Sequence, residues 1–143
     1  MYQRILVPID GSPLSDRGLD EAIRLARLTG GRLCLIHVID ELSISMSMAG
    51  YGCYSAEMFE GLRAGGADII EAGRARVVAA GVNVETVLLE NLQGPVHALV
   101  IAQALSWKAD LIVLGTHGRR GMRRMCWAAA PKPLCASRRC RYC

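Results

Sequence analysis

A stretch near the carboxyl end, Leu111-Ile-Val-Leu-Gly-Thr-His-Gly-Arg-Arg-Gly121, holds the residue types best suited to gripping an anion. Gly115 and Gly118 let main-chain N–H groups come close to phosphate oxygens, and Arg119, Arg120, Arg123 and Arg124 add positive potential at the start of a following helix. A second stretch, Asp10-Gly11-Ser12-Pro13, offers a carboxylate that could accept a ribose hydroxyl or hold a cation bridging phosphates. Each has a plainer reading beside the chemical one. A glycine turn also serves simply to join strand to helix, with its arginines on a solvated face, and an aspartate also caps its own turn. The glycine spacing is neither that of a P-loop nor the dinucleotide G-x-G-x-x-G. No nucleophile, poised base and orienting third group can be assembled from Asp10, His117 and the arginines, so no catalytic residue is assigned. Any hydrolysis would rest on positioning and charge alone and be slow. Of the histidines, His37 reads as a core or strand-end residue, His97 as a helix-surface residue, and His117 as the one placed to touch a ligand.

The elements that must hold these residues follow from periodicity. Leu111 to Leu114 form an apolar run that reads as a strand buried on both faces, which requires helices on both sides of a sheet. Arg4–Ile9 is a similar run, closed by the Asp10 turn, with Ser12 as N-cap and Pro13 at the first helical position. Through Leu14–Leu28, Leu19, Ala22, Ile23 and Ala26 recur at helical spacing until Gly30-Gly31 stops the helix. Arg32–Ile39 is a second strand. Residues 40–53, rich in Ser, Met and Gly without a period, read as a long loop. A helix is expected over 55–80, with a bend at Gly65-Gly66, where each glycine costs about 1 kcal/mol relative to alanine. Val82–Leu89 alternates as a third strand, and Gly94-Pro95 starts a third helix ending near Trp107. The order βαβαβαβ with right-handed crossovers makes a doubly wound parallel α/β sheet. If strands one and four are neighbours, the Asp10 turn and the Gly115–Gly121 loop meet at a topological switch point, where a nucleotide fits.

Composition narrows the function classes. At 143 residues, residues 1–143 read as a single domain. The chain enters a strand pattern at once, and no apolar run approaches the ~18 residues of a membrane span, so a cytoplasmic protein without membrane contact is expected. The net charge of +4 is uneven. Residues 1–110 hold 9 Lys/Arg against 13 Asp/Glu, whereas residues 111–143 hold 8 Lys/Arg and no acid. Four of the six cysteines, Cys126, Cys135, Cys140 and Cys143, crowd the last 18 residues, which is not a secreted disulfide framework. Their spacing lacks a paired C-x2-C arrangement, so no metal site is read there. The tail arginines lack interleaved aromatics apart from Trp127 and Tyr142, which argues against a nucleic-acid partner.

Three stretches, Ile5-Leu-Val-Pro-Ile-Asp-Gly-Ser12, Leu35-Ile-His-Val-Ile39 and Ala109-Asp-Leu-Ile-Val-Leu-Gly-Thr-His-Gly-Arg-Arg-Gly121, resemble the universal stress protein family in order and spacing over residues 3–125. The resemblance implies a five-stranded parallel sheet in the order 3-2-1-4-5, a homodimer, and in some members binding of ATP or AMP, with Mg2+ as a possible companion. It also implies that Pro8, Ile9 and Asp10 line the adenine and ribose side, that Val38 touches the base, and that Gly115, Thr116, His117, Gly118 and Arg119 hold the phosphates. The signature of nucleotide-binding members is G-x2-G-x9-G-(S/T). Gly115 and Gly118 match its first two glycines, but Ala128-Ala129 stand where it has Gly-(Ser/Thr).

The tail departs systematically. From Cys126 the chain carries two prolines where a helix is needed, and Arg138, Arg139 and Arg141 put charge on both faces of any fifth strand. Back-translation with the frame moved by one nucleotide permits glycine then serine across Trp127–Ala129, and later a Pro-Val-Leu run, so residues 126–143 have the character of a frameshifted ending. Three functions compete: a nucleotide-binding stress-response switch, a dimeric interaction protein of the same fold without nucleotide, and a slow ATPase.

Overall fold

The computed structural model describes residues 2–41, 44, 56–92 and 94–115, and the main chain of 128–129. Strand β1 (Arg4–Pro8) leads into helix α1 (Pro13–Thr29), then β2 (Arg32–Ile39), α2 (Ala56–Ala79), β3 (Val84–Glu90), α3 (Val96–Ser106), β4 (Leu111–Ile112) and β5 (Ala128–Ala129). The sheet order is β3-β2-β1-β4-β5, and β1 through β4 pair in parallel. The order is the expected one. The fifth strand differs: it is two residues long and antiparallel to β4, with Leu111 opposite Ala129 and Ile112 opposite Ala128. Loop 40–53 lies outside the described residues apart from Asp40, Glu41 and Ile44.

Local chemistry explains the helix ends. The Ser12 side chain accepts the Ser15 N–H at 3.2 Å, and Pro13 fills the first turn. At the far end Gly30 takes φ 66° and returns its N–H to Ala26 O, a left-handed cap for which a Cβ would be strained. Helix α3 closes the same way without glycine. Lys108 sits at φ 56° while Ala109 N–H reaches Ala104 O at 2.8 Å.

Strand alternation divides the core in two. Ile5, Val7, Ile9, Leu33, Leu35, Leu111 and Val113 face α1 and α2, where Leu19, Ala22, Ile23, Ile70 and Val77 close over them. Leu6, Cys34 and Ile36 face α3, whose Val100 and Ala104 cover them. Both faces of β1 and β2 are thus buried, and each fully buried Leu or Ile contributes about 1.5–3 kcal/mol.

Helix α2 runs unbroken through Gly65-Gly66, and the two glycines differ in surroundings. A Cβ on Gly66 would lie 3.0 Å from His37 Cδ2 and 3.2 Å from Ile39 Cδ1, whereas nothing lies within 4 Å at Gly65. Gly73 is tighter, with a Cβ 2.9 Å from Ile9 Cδ1. Helix propensity is given up at Gly66 and Gly73 so that α2 can lie close on β1 and β2.

Candidate functional site

The carboxyl ends of β1, β2 and β4 converge because β1 is central. Ile9 N–H donates to Ile36 O at 2.8 Å and Val113 N–H to Leu6 O at 2.9 Å, which extends pairing past both flanks of β1. The chain then turns. Ser12 N–H donates to Asp10 Oδ1 at 2.9 Å, and Asp10 N–H donates to Ser15 Oγ at 3.1 Å. Gly11 adopts φ 73°, and Ser15 is buried beneath the turn. The Asp10 carboxylate therefore does close its own turn. A carboxylate has roughly four acceptor positions, and the Ser12 N–H takes one of them.

Gly115 meets this turn from the other side. A Cβ on Gly115 would lie 2.6 Å from Leu14 O and 2.9 Å from Ser15 N, and a Cβ on Gly18 would lie 3.1 Å from Gly115 N. The end of β4 thus rests main chain to main chain against the first turns of α1, where only glycine fits. This close packing is what brings the end of β4 to the Asp10 turn.

Of the residues implied for binding, Pro8, Ile9, Asp10, Val38 and Gly115 are brought to the carboxyl edge by β1, β2 and β4. Ile9 needs a correction. Its side chain is 6% exposed and packs into the α1–α2 core, so only its main chain is at the edge. Pro8 and Val38 are half-buried. Thr116, His117, Gly118 and Arg119, which would hold phosphates, lie outside the described residues. Ala128 and Ala129 pair with β4, so the main chain at the register of the missing Gly-(Ser/Thr) belongs to the sheet.

One contact went unforeseen. His37 Nδ1 lies 2.7 Å from Ile9 O, the carbonyl next to Asp10. A carbonyl only accepts, so Nδ1 carries a proton. The signal that could have found it is register: His37 follows Ile36, the partner of Pro8.

Farther along the same edge, Arg63 of α2 grips Glu90 with Nε to Oε1 at 2.6 Å and a second nitrogen to Oε2 at 3.2 Å. The hydrogen bond and charge of Glu90 raise the Arg63 pKa further above its usual value. Asn91 is buried and donates to Asp40 Oδ1 and to Gly94 O, both at 3.0 Å, tying the end of β3 to the residue after β2. At the opposite edge, an open recess of about 270 Å³ between the ends of α1 and α2 is lined mainly by glycine, alanine and valine. Arg27 and Asn83 are its polar side chains. Among the described residues no three His, Cys, Asp or Glu side chains cluster as metal ligands, and no helix is long and apolar enough to cross a membrane.

Comparison with known proteins gives a consistent result. Residues 1–128 match the model of the Universal stress protein family. Universal stress protein A homolog 2 of Coxiella burnetii is 32% identical over 124 residues, covering 85% of this chain and 80% of that protein. The crystal structure of a universal stress family protein from Burkholderia pseudomallei superposes with a TM-score of 0.69 at 28% identity, covering 81% of this chain and 83% of that one. An Arabidopsis thaliana family protein with AMP bound shares the fold, at TM-score 0.58 and 16% identity, covering 79% of this chain and 76% of that one.

Proposed function

We propose that this chain, which belongs to the universal stress protein family, is an adenine-nucleotide-binding module whose occupancy by ATP or AMP acts as a regulatory switch in a stress response. The observation that carries the reading is the junction of the Asp10 turn with Gly115 beside the half-buried Val38, at the switch point of the sheet. The AMP in the Arabidopsis relative supports the ligand class. In this reading Val38 and Pro8 flank the base, Asp10 accepts a ribose hydroxyl, and Gly115, Thr116, His117, Gly118 and Arg119 hold the phosphates, with Mg2+ as a possible partner of the triphosphate. A bound nucleotide would supply charge and a bridge between the two loops. The chain's own part is to orient it and to satisfy its polar edge. A homodimer in the cytoplasm is part of the same proposal.

A second reading is favoured by one observation. Ala128-Ala129 stand in an antiparallel ladder rather than in a phosphate-binding turn, which suits an interaction protein of this fold that binds no nucleotide. Titration calorimetry of the intact chain with AMP and with Mg-ATP decides between them. Binding on the order of micromolar, weakened about tenfold by Asp10→Ala, supports the switch. Absence of heat from a folded sample leaves the interaction protein.

A further inference from the structure

The Ile9 carbonyl, one residue past the end of β1, is the last main-chain acceptor before the site turn, and the His37 imidazole holds it at 2.7 Å. In a continuing parallel ladder that carbonyl would take the N–H of Val38, two residues beyond the Pro8 partner Ile36. A side chain of β2 therefore grips β1 where the sheet stops and the Asp10 turn begins. The ring is itself wedged. Its Cδ2 lies 3.0 Å from where a Cβ on Gly66 would be, so α2 comes close enough to fix the ring's plane only because residue 66 is glycine. The carbonyl leads straight into the Asp10 N–H, which donates to the buried Ser15 Oγ, and into the Asp10 carboxylate, which takes the Ser12 N–H.

We propose that His37 is a positioning residue for ligand binding: by holding the Ile9 carbonyl it sets the plane of the Ile9–Asp10 peptide, and with it the direction of the Asp10 carboxylate and the main-chain edge of Val38. The ligand consequence rests on the nucleotide reading above; the positioning of the turn does not. Loss of the donor lets the peptide rock, and a carboxylate aimed by that peptide loses its preorganisation toward a ribose hydroxyl.

The test uses the intact chain and three variants. His37→Leu keeps bulk and removes the donor. His37→Asn keeps an N–H near the Nδ1 position. Gly66→Ala leaves the histidine and crowds its ring. Two quantities are read: the 15N–1H resonances and exchange rates of the Asp10 and Gly11 amides without ligand, and the Kd for AMP. The expected result is displaced resonances and about tenfold faster exchange at Asp10 in His37→Leu, a Kd for AMP raised about tenfold, and values within about threefold of the parent in His37→Asn. Gly66→Ala displaces the same amides in the same direction. The proposal is overturned if His37→Leu lowers stability while the Asp10 and Gly11 amides stay in place, or if His37→Asn behaves no better than His37→Leu. Should His37→Leu fail to fold, the Gly66→Ala resonances decide alone. If the parent chain gives no AMP binding, the nucleotide reading falls and the ligand-free amides still decide whether His37 sets the turn.

Discussion

Two adjacent glycines in α2 should respond to alanine differently, one gaining stability and the other not. At Gly65 a new methyl meets nothing within 4 Å, so the substitution gains the helix preference of alanine over glycine, about 1 kcal/mol. At Gly66 the same gain is opposed. The methyl would sit 3.0 Å from His37 Cδ2 and 3.2 Å from both Ile39 Cγ1 and Cδ1, roughly 0.5 Å inside the favourable carbon separation. Neither neighbour yields easily, since the ring is pinned at Ile9 O and Ile39 is 4% exposed. Overpacking of this kind costs about 1–3 kcal/mol, so Gly66→Ala should end near neutral to about 2 kcal/mol destabilised. The predicted gap between the two variants is then about 1–3 kcal/mol. Urea unfolding followed by circular dichroism, with equal slopes for parent and variants, measures it directly. Equal stabilisation by both substitutions would refute the close-approach account of Gly66, and with it the wedge that fixes the His37 ring.

Other expectations follow from single positions. Lys108 holds a left-handed φ of 56° at the end of α3, so Lys108→Gly should raise stability by about 0.5–1 kcal/mol in the same assay. The buried Cys34 thiol has its pKa pushed up from 9.0 to about 11 by burial first and the nearby Glu85 charge second. Because the raised value belongs to the folded state, the stability tied to this thiol is full below pH 9 and is lost as pH rises toward 11. Alkylation at pH 8 mapped by mass spectrometry should therefore find Cys34 unmodified until denaturant is added. Reading the gene's nucleotides across codons 122–143 should show codons that give glycine and serine, one nucleotide out of frame, at the Trp127–Ala129 register; codons incompatible with that pair would rule the frameshift out.

The sequence carried most of the frame, because both faces of β1 and β2 are buried and both caps of α1 rest on residues with narrow roles, Ser12, Pro13 and Gly30. The Asp10 turn was legible for the same reason: Asp-Gly-Ser-Pro has few conformations. What escaped is set by neighbours distant in sequence. Gly65 and Gly66 read alike as a weak point in a helix, and only the position of β2 separates them. Ile9 matched a site pattern, yet strand alternation sends its side chain into the core. His37 could be placed on a strand but not on the Ile9 carbonyl, because that contact needs the register of two strands. The direction of β5 was out of reach as well, since the tail holds no apolar period to dictate it.

The pairing of β1 with β4 also has a temporal side. The amides of Gln3 and Arg4 both donate to Asp110 Oδ2 at 3.0 Å, and Arg4 reaches Trp107 O at 3.0 Å, contacts that span more than a hundred residues. On the ribosome β1 can find β2 early, but its other flank stays open until residue 113 has emerged, so a strand apolar on both faces waits through most of synthesis with one neighbour. The last of these contacts is the Val113 N–H to Leu6 O, so the β1–β4 seam is built entirely from residues that precede the arginine-rich ending. An alteration confined to that ending removes none of the seam's hydrogen bonds, which is how a chain could carry a foreign tail and keep its central sheet.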